Sequence, residues 1–496
     1  MKSEPRSAKF FPRMARMRNT CDTGVAPRTT LKDRPRGRVP ARSISNGEIN
    51  KLSMGDRSAH GWYRFVLSFP PHLVHQYIEA FGLNAGSRVL DPFCGTGTTL
   101  VECKKRGIAS VGVEANPMAH FASEVKVDWL PNPDRLLDHA ERIAGEALKE
   151  LGADGIADDP LPLFRKTHSA ELALRTLPPE AAQLLLAHSI SPLPTHKALV
   201  LLDCIKRQRN DKLQRHELLA LAKALVHSIS NLRFGPEVGL GHTKADALVV
   251  SPWLEGIRTM AEDLRHLNHM THAECTVHRA DSREISRILE PRSIDAVITS
   301  PPYPNEKDYT RTTRLESVFL GFIRNKSDLR NLKREMVRSN TRGVYKGDDD
   351  DRWISNHPEI QDIADAIESR RISLGKTSGF ERLYGRVAKL YFGGMARHLA
   401  DLRTILRPGA QLAYVVGDQA SYLRVMIRTG EILGRVAQSL GYELVSIDLF
   451  RTRLATATKE QLREEVVVLR WPGVTRAGRL NSKQHDPVKA KGGQPS

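Results

Sequence analysis

The run Ile294-Asp295-Ala296-Val297-Ile298, followed at once by Thr299-Ser300-Pro301-Pro302-Tyr303, constrains this chain more than any other stretch. The first five residues read as a buried parallel strand. Proline fixes φ and carries no N–H, so two prolines in succession end a hydrogen-bonded ladder and make a rigid, exposed corner. A polar side chain, a stiff dipeptide and an aromatic ring are thereby presented at the carboxyl end of a strand. In open α/β sheets that edge is where ligands sit. The Ser300 hydroxyl and the Pro301 carbonyl can accept hydrogen bonds from an exocyclic amine, and the Tyr303 ring can stack on a flat base. A plain turn is the bland alternative. Pro-Pro alone would favour it; the whole pentapeptide behind this strand does not.

A second constraint lies upstream. Ser87 to Asp91 reads as a strand, Pro92-Phe93-Cys94-Gly95-Thr96-Gly97-Thr98 as a Gly-rich turn, and Leu100, Val101 and Cys103 as the start of a helix. Glycines at 95 and 97 let a ligand approach the backbone. A second strand, Ala109 to Val113, ends in Glu114. An acid about twenty residues after such glycines can take both ribose hydroxyls of a nucleoside. The third glycine of a dinucleotide site and the Gly-Lys-Ser/Thr of a phosphate loop are both missing. The pattern fits a nucleoside without a pyrophosphate better than NAD or ATP.

Asp91-Pro-Phe-Cys-Gly-Thr-Gly-Thr-Thr99 together with Thr299-Ser-Pro-Pro-Tyr303 resembles the S-adenosylmethionine-dependent amino-methyltransferases of DNA. The Ser-Pro-Pro-Tyr variant is the one most often seen in cytosine-N4 enzymes; adenine-N6 enzymes more often carry Asp or Asn in place of the Ser. The resemblance covers roughly residues 60–130 and 275–470. It implies an α/β fold with a Rossmann-like, seven-stranded, mostly parallel methyltransferase sheet, S-adenosyl-L-methionine as cofactor, and double-stranded DNA as substrate. It implies a catalytic set of Ser300, Pro301, Pro302 and Tyr303. The implied cofactor-binding set is Phe69, Pro70, Asp91, Phe93, Gly95, Gly97, Thr98, Glu114 and Asp281.

Some of these positions have a second reading. Phe69-Pro70-Pro71-His72-Leu73-Val74 precedes an amphipathic helix through Tyr77, Ile78 and Phe81, and resembles the segment that closes over the methionine end of the cofactor. Proline is also simply welcome in a first helical turn. In the family an acid at Asp281 contacts the adenine amine. Asp281 or Ser282 serves equally as the N-cap of a helix at Glu284–Leu289. Direct methyl transfer needs no covalent cysteine, and no Pro-Cys dipeptide stands where one would be. Neither a metal nor a second cofactor is implied. Adenine-N6 methylation, an RNA base amine, and an idle DNA-binding module stay open as alternatives. RNA enzymes of this shape usually carry Asp-Pro-Pro-Tyr and an added RNA-binding domain.

Downstream, Leu402–Leu406 reads as the end of a helix that stops at Arg407-Pro408-Gly409. Ala410–Val416 follows as a strand, Ile427–Leu440 as a helix, and Tyr442–Phe450 and Glu465–Leu469 as two closing strands around an exposed loop at 455–459. Alternating strand and helix patterns support a mostly parallel sheet. The final antiparallel strand is implied only by the resemblance.

The chain has 496 residues, with 75 Lys and Arg against 57 Asp and Glu, a net charge of +18. Residues 1–57 hold 14 basic and 5 acidic side chains, hence +9, without any apolar period. They read as a flexible basic arm suited to a phosphate backbone. No apolar run is long enough for a membrane span, and the basic start lacks the apolar stretch of a secretory signal. Five cysteines without a C-x-x-C spacing suggest reduced thiols in a cytoplasm and no zinc site, and the DNA binding that the resemblance implies would make the protein nucleoid-associated. The remaining divisions are a cofactor-binding half at 58–130, a helical insert at 131–270, the catalytic segment at 271–303, a candidate target-recognition insert at 304–390, the rest of the methyltransferase domain at 391–472 and a basic tail at 473–496. The helical insert shows helix patterns at Leu136–Leu151, Ala170–Leu186 and Leu213–Leu225. The recognition insert shows a helix at Leu315–Ile323 and a basic region with Arg334, Arg338, Arg342 and Lys346. It is preferred as the reader of DNA because it leaves directly from the base pocket. The resemblance leaves open a cognate restriction endonuclease as a further partner.

Overall fold

The computed structural model describes residues 56–63, 69–158, 173–234, 238–270, 273–305, 307–454 and 461–473. The basic arm, save Asp56 and Arg57, the loop 455–459 and the tail beyond Gly473 lie outside the described residues.

In chain order the strands are β1 (Arg88–Asp91), β2 (Ala109–Val113), β3 (Leu232–Phe234), β4 (Val238–Leu240), β5 (Cys275–His278), β6 (Ile294–Thr299), β7 (Leu406–Gly417), β8 (Glu443–Leu454) and β9 (Gln461–Arg470). β3 and β4 form a separate small hairpin. The other strands make one seven-stranded sheet in the order β5-β2-β1-β6-β7-β9-β8. Every pairing is parallel except those of β9, which runs antiparallel to both β7 and β8. This is the Rossmann-like α/β methyltransferase sheet that the motifs implied.

The order explains why the two motifs meet. From β1 the chain steps outward to β2 and later β5, then returns to lay β6 on the other side of β1. The reversal opens a crevice at the carboxyl ends of β1 and β6, the usual ligand position in such sheets. Those ends are Asp91 and Thr299. The Thr299 hydroxyl donates to Asp91 Oδ1 at 2.6 Å, and the Thr99 hydroxyl donates to the Ile298 carbonyl at 3.1 Å.

Successive strand residues point to opposite faces, so each central strand feeds two cores. Leu90, Val297, Leu412 and Tyr414 pack on one face with Tyr391, Phe392, Met395 and Leu399 of the helix Tyr384–Leu402. Val89, Ile298, Ala413 and Val415 pack on the other with Leu73, Val74, Tyr77 and Ile78 of the helix Pro71–Ala80. Each such buried aliphatic contributes about 1.5–3 kcal/mol. The inserted helices Pro133–Ala153, Pro192–Arg207, Gln214–Ala224 and Val250–Leu267 share a third core with Leu100 and Val101 of the helix Thr98–Lys105.

Several expected boundaries move. The helix before β7 ends at Leu402, and Arg407-Pro408-Gly409 lies inside the strand as an irregularity: Ile294 faces Leu406, but Ala296 faces Gln411. Gly409 adopts φ +90°, which lets the proline be absorbed as a bulge. Only a turn at Ile285–Arg287 stands where the helix Glu284–Leu289 was expected. Within Ala170–Leu186 the described residues hold a helix only at Pro179–Ala182, because Pro178-Pro179 can start a helix but not sit inside one. Among the described residues no helix is long and apolar enough to cross a membrane.

Candidate active site

A cavity of about 410 Å³ opens at the crevice, and both motifs line it. Phe69, Pro70, Phe93, Gly95, Thr98 and Glu114 form one end; Ser300, Pro301, Pro302 and Tyr303 form the other. Asp91, Gly97 and Asp281 do not reach the wall.

At the first end the chain folds tightly around one carboxylate. Glu114 Oε2 accepts from Gly95 N at 2.9 Å and Oε1 from Asn116 N at 2.7 Å. Burial pushes its pKa up to about 7; these two backbone donors pull the other way, and the nearby Asp91 charge adds to the rise. Gly95 has φ +52°, and a Cβ there would meet no protein atom within 4 Å. Gly97 has a different duty from the one expected. It caps the helix Thr98–Lys105 at φ +81°, and a Cβ there would sit 2.5 Å from the Ser123 Oγ. Its lack of a side chain serves the turn and the close approach of Ser123 on the helix Pro117–Lys126, and it does not line the cavity.

Asp91 lies beneath the wall. Fully buried, it accepts from Phe93 N at 3.2 Å as well as from Thr299, and burial pushes its pKa up to about 6. It ties the Gly-rich turn to the catalytic strand. Asp281 is turned aside: its carboxylate takes the backbone N–H and guanidinium of Arg283, which is itself buried against Asp350. Its neighbours Ala280 and Ser282 line the cavity instead. Phe93 stands edge-on to His398, with ring centroids 4.9 Å apart.

At the second end the Ser300 hydroxyl donates to the Val415 carbonyl at 3.2 Å. Its proton is thus directed away, and its lone pairs can accept. The backbone of Tyr303 is held by the Tyr309 hydroxyl, which accepts from Tyr303 N at 3.0 Å. The Tyr303 ring packs on Gly417, where a Cβ would meet its Cε2 at 3.1 Å. Burial first, and the Glu464 carboxylate second, push the Tyr303 hydroxyl pKa upward; a hydrogen bond with Ser300 opposes this. The arrangement is a fixed acceptor beside a held aromatic ring.

The family model N6_N4_Mtase, described as DNA methylase, matches residues 35–124. The Type II methyltransferase M.BsoBI of Geobacillus stearothermophilus is 24% identical over 461 residues, covering 86% of this chain and 86% of its own. The Type II methyltransferase M.AvaI of Nostoc sp. is 24% identical over 461 residues, covering 87% of this chain and 89% of its own. The chain is thus similar to Type II DNA methyltransferases over most of its length, and the DNA methylase model matches the segment that carries the Gly-rich turn. Among solved structures, TrmN from Thermus thermophilus aligns over 84% of this chain and 52% of its own, at 10% identity and a TM-score of 0.28. At that score the likeness carries no weight, and the fold rests on the sheet order itself.

Sequence reasoning missed much of the far wall of this cavity. Asn305, Lys307, Tyr309, Glu335, Met336 and Val337 line the cavity, as do Phe450, Arg451 and Glu464. None belongs to a recognisable spacing. The basic region of the 304–390 segment is also less uniform than it read. Arg338 is buried and paired with Asp348 at 2.7 Å, while Arg334, Arg342 and Lys346 are exposed. Arg334 lies over the Tyr345 ring and Arg342 over Phe380. Arg338 therefore braces the segment from inside.

One cluster has the proximity of a metal site: ligand atoms of Asp56, His75 and Glu102 all lie within 4.8 Å of one another. Glu102 is already engaged, however, by His75, by His60 Nε2 at 2.7 Å and by Lys105 Nζ at 3.0 Å. An ammonium on the same carboxylate opposes a second cation. With Asp263, which accepts from Ala59 N at 3.0 Å and Trp62 Nε1 at 2.8 Å, the cluster staples residues 56–63 to the domain.

Proposed function

We propose that this protein moves a methyl group from S-adenosylmethionine to the exocyclic N4 amine of cytosine in double-stranded DNA, with the base extruded from the duplex. The observation that carries the proposal is the one cavity joining Gly95 and Glu114 to Ser300–Tyr303. The donor set at the first end suits the cofactor. Glu114, seated on two backbone N–H groups, offers paired acceptors to the hydroxyls of a ribose. Phe69, Pro70 and Phe93 supply an apolar wall. Bound there, S-adenosylmethionine would supply a methyl group already activated by its sulfonium.

The part played by the protein is then positional. An exocyclic amine points into the base stack, so the target must leave the duplex, at a cost of a few kcal/mol. Stacking on Tyr303, already braced against Gly417, offsets part of that cost. Ser300, its own proton given to Val415, accepts from the amine, and the Pro301 carbonyl takes the second amine hydrogen. Pro301 and Pro302 keep both acceptors rigid. Ser300 in the motif supports the cytosine reading, since adenine-N6 enzymes more often carry Asp or Asn there.

The decisive experiment is mass spectrometry of nucleosides from DNA of cells expressing the protein, beside cells expressing Ser300→Ala. N4-methyldeoxycytidine in the first only is expected. N6-methyldeoxyadenosine instead would overturn the base assignment, and neither product would leave an idle module. The exposed part of the 304–390 segment is proposed to read the DNA sequence, and the basic arm 1–57 to run along phosphates. Removing that arm should leave methylation in place but flatten the dependence of log affinity on log salt. A cognate restriction endonuclease would be a partner that such methylation blocks.

A further inference from the structure

The strand pair β8–β9 carries an irregularity at the cavity. Leu449 faces Glu465 and Arg451 faces Glu464, so Phe450 is an extra residue on β8. In a regular strand neighbouring side chains point to opposite faces. Here both Phe450 and Arg451 line the cavity, together with Glu464 of β9. Bulges re-aim side chains in this way beside active sites.

The re-aimed arginine is held. Its Nε donates to Glu464 Oε2 at 2.6 Å, and Nη2 lies 2.5 Å from the same oxygen. Its guanidinium lies over the Phe450 ring, 5.4 Å from the centroid. The side chains are only 20% and 10% exposed. On the solvent face of the sheet such a pair would cost less to desolvate than it does here. This pair sits in the cavity wall, close enough to Tyr303 for both charges to act on its hydroxyl.

The chemistry of the bases gives this position a use. Beside its amine, cytosine presents two adjacent acceptors, N3 and O2. Adenine presents one acceptor, N1, and then a C–H. A guanidinium is a rigid planar fork of N–H donors that matches paired acceptors. Lys307 also lines the cavity, but an ammonium is a point donor without a fork.

We propose that Arg451, fixed by Glu464 and presented by the bulge at Phe450, reads the N3 and O2 edge of the extruded base and selects cytosine over adenine. This rests on the cytosine-N4 reading above, and it places the selection on a residue outside the Ser-Pro-Pro-Tyr motif.

The test uses the purified full chain, S-adenosylmethionine and unmethylated bacterial genomic DNA under single-turnover conditions. N4-methyldeoxycytidine and N6-methyldeoxyadenosine are both quantified. Arg451→Met, which keeps length but removes every donor, should slow cytosine methylation roughly ten- to a hundredfold and raise the adenine-to-cytosine product ratio. DNA affinity and cofactor affinity should stay near wild type, and melting temperature should drop, because Glu464 loses its partner, without the product ratio following that drop across the variants. Arg451→Lys should fall between, and Glu464→Gln, which loosens the holder and conserves volume, should show a smaller change in the same direction. A purely structural pair would not move the product ratio. Wild-type rate and ratio in Arg451→Met overturn the inference. So does a loss that follows melting temperature in all three variants with the ratio fixed. Wild-type protein that makes N6-methyldeoxyadenosine overturns the cytosine reading itself, a separate outcome.

Discussion

The two ends of the cavity are built in opposite ways. Apart from Phe69 and Pro70, the end around Glu114 comes from one βαβ unit: β1, the turn 92–97, the helix Thr98–Lys105 and β2. Its polar contacts are backbone N–H groups closing on a single carboxylate. The end around Ser300 is assembled from residues 300–303, 305, 307, 309, 335–337, 415, 450, 451 and 464, brought together only by the finished sheet. Its contacts run between segments far apart in sequence, such as Ser300 to Val415. The first end can form as soon as a local unit forms. The second needs long-range closure of the sheet.

That contrast predicts where substitutions act. Ser300→Ala should produce the largest effect and confine it to chemistry. An acceptor used mainly as the transition state forms lowers turnover more than binding. Losing one positioned hydrogen bond in a dry pocket costs about 2–4 kcal/mol, or roughly ten- to a thousandfold in rate. Single-turnover methylation at saturating cofactor measures it, beside direct DNA binding. A wild-type rate would reduce Ser300–Tyr303 to a strand-ending turn.

Tyr303→Ala comes next and should spread across both steps. Stacking is worth about 1–3 kcal/mol per base, so capture of the extruded base weakens and the rate falls. A mismatch opposite the target lowers the cost of extrusion and should restore part of the loss. It should not restore Ser300→Ala, which separates the two roles within one loop.

The same contrast governs what could be read in advance. The Gly-rich turn, Glu114 and the Ser-Pro-Pro-Tyr corner were legible because each is local: a strand, a turn and a side chain within a few residues. The sheet followed from apolar runs such as Ile294–Ile298. Asp281 was misplaced because a contact from Arg283, not the strand before it, decides where its carboxylate points. The bulges at Pro408 and Phe450 were invisible, since register is a property of two strands and neither sequence alone announces it. Tyr309, Arg451 and Glu464 were missed for the same reason. The cluster of Arg334, Arg338, Arg342 and Lys346 read as one basic face, yet Asp348 draws Arg338 inward.

Gly97 tests how local the first end is. A Cβ would clash with Ser123 and force a left-handed conformation on a residue that resists it. Gly97→Ala should therefore lower folding stability by about 1–3 kcal/mol. Since Gly97 is absent from the cavity wall, cofactor affinity should change less than stability does. Calorimetric titration beside thermal unfolding separates these. A variant of normal stability that fails to bind cofactor would restore Gly97 to the ligand site.

The smallest effect should come from pH, again at the Glu114 end. Burial is the main cause that raises its pKa from the ordinary carboxylate range to about 7, with the Asp91 charge acting the same way. Only the ionised carboxylate accepts from two ribose hydroxyls. At pH 6 most of the free protein carries the protonated form, which must lose its proton when the cofactor binds; at pH 8 little of it does. Cofactor affinity should therefore rise with pH through 7, by about tenfold between pH 6 and pH 8. Glu114→Gln should bind weakly and without that slope. Ser300→Ala should keep the slope in full, because it alters only the far end of the cavity. Titration calorimetry across this range decides the matter: a flat profile in the wild type would mean that Glu114 is already ionised or does not touch the cofactor, and a slope surviving in Glu114→Gln would move the titrating group elsewhere, to Asp91 first.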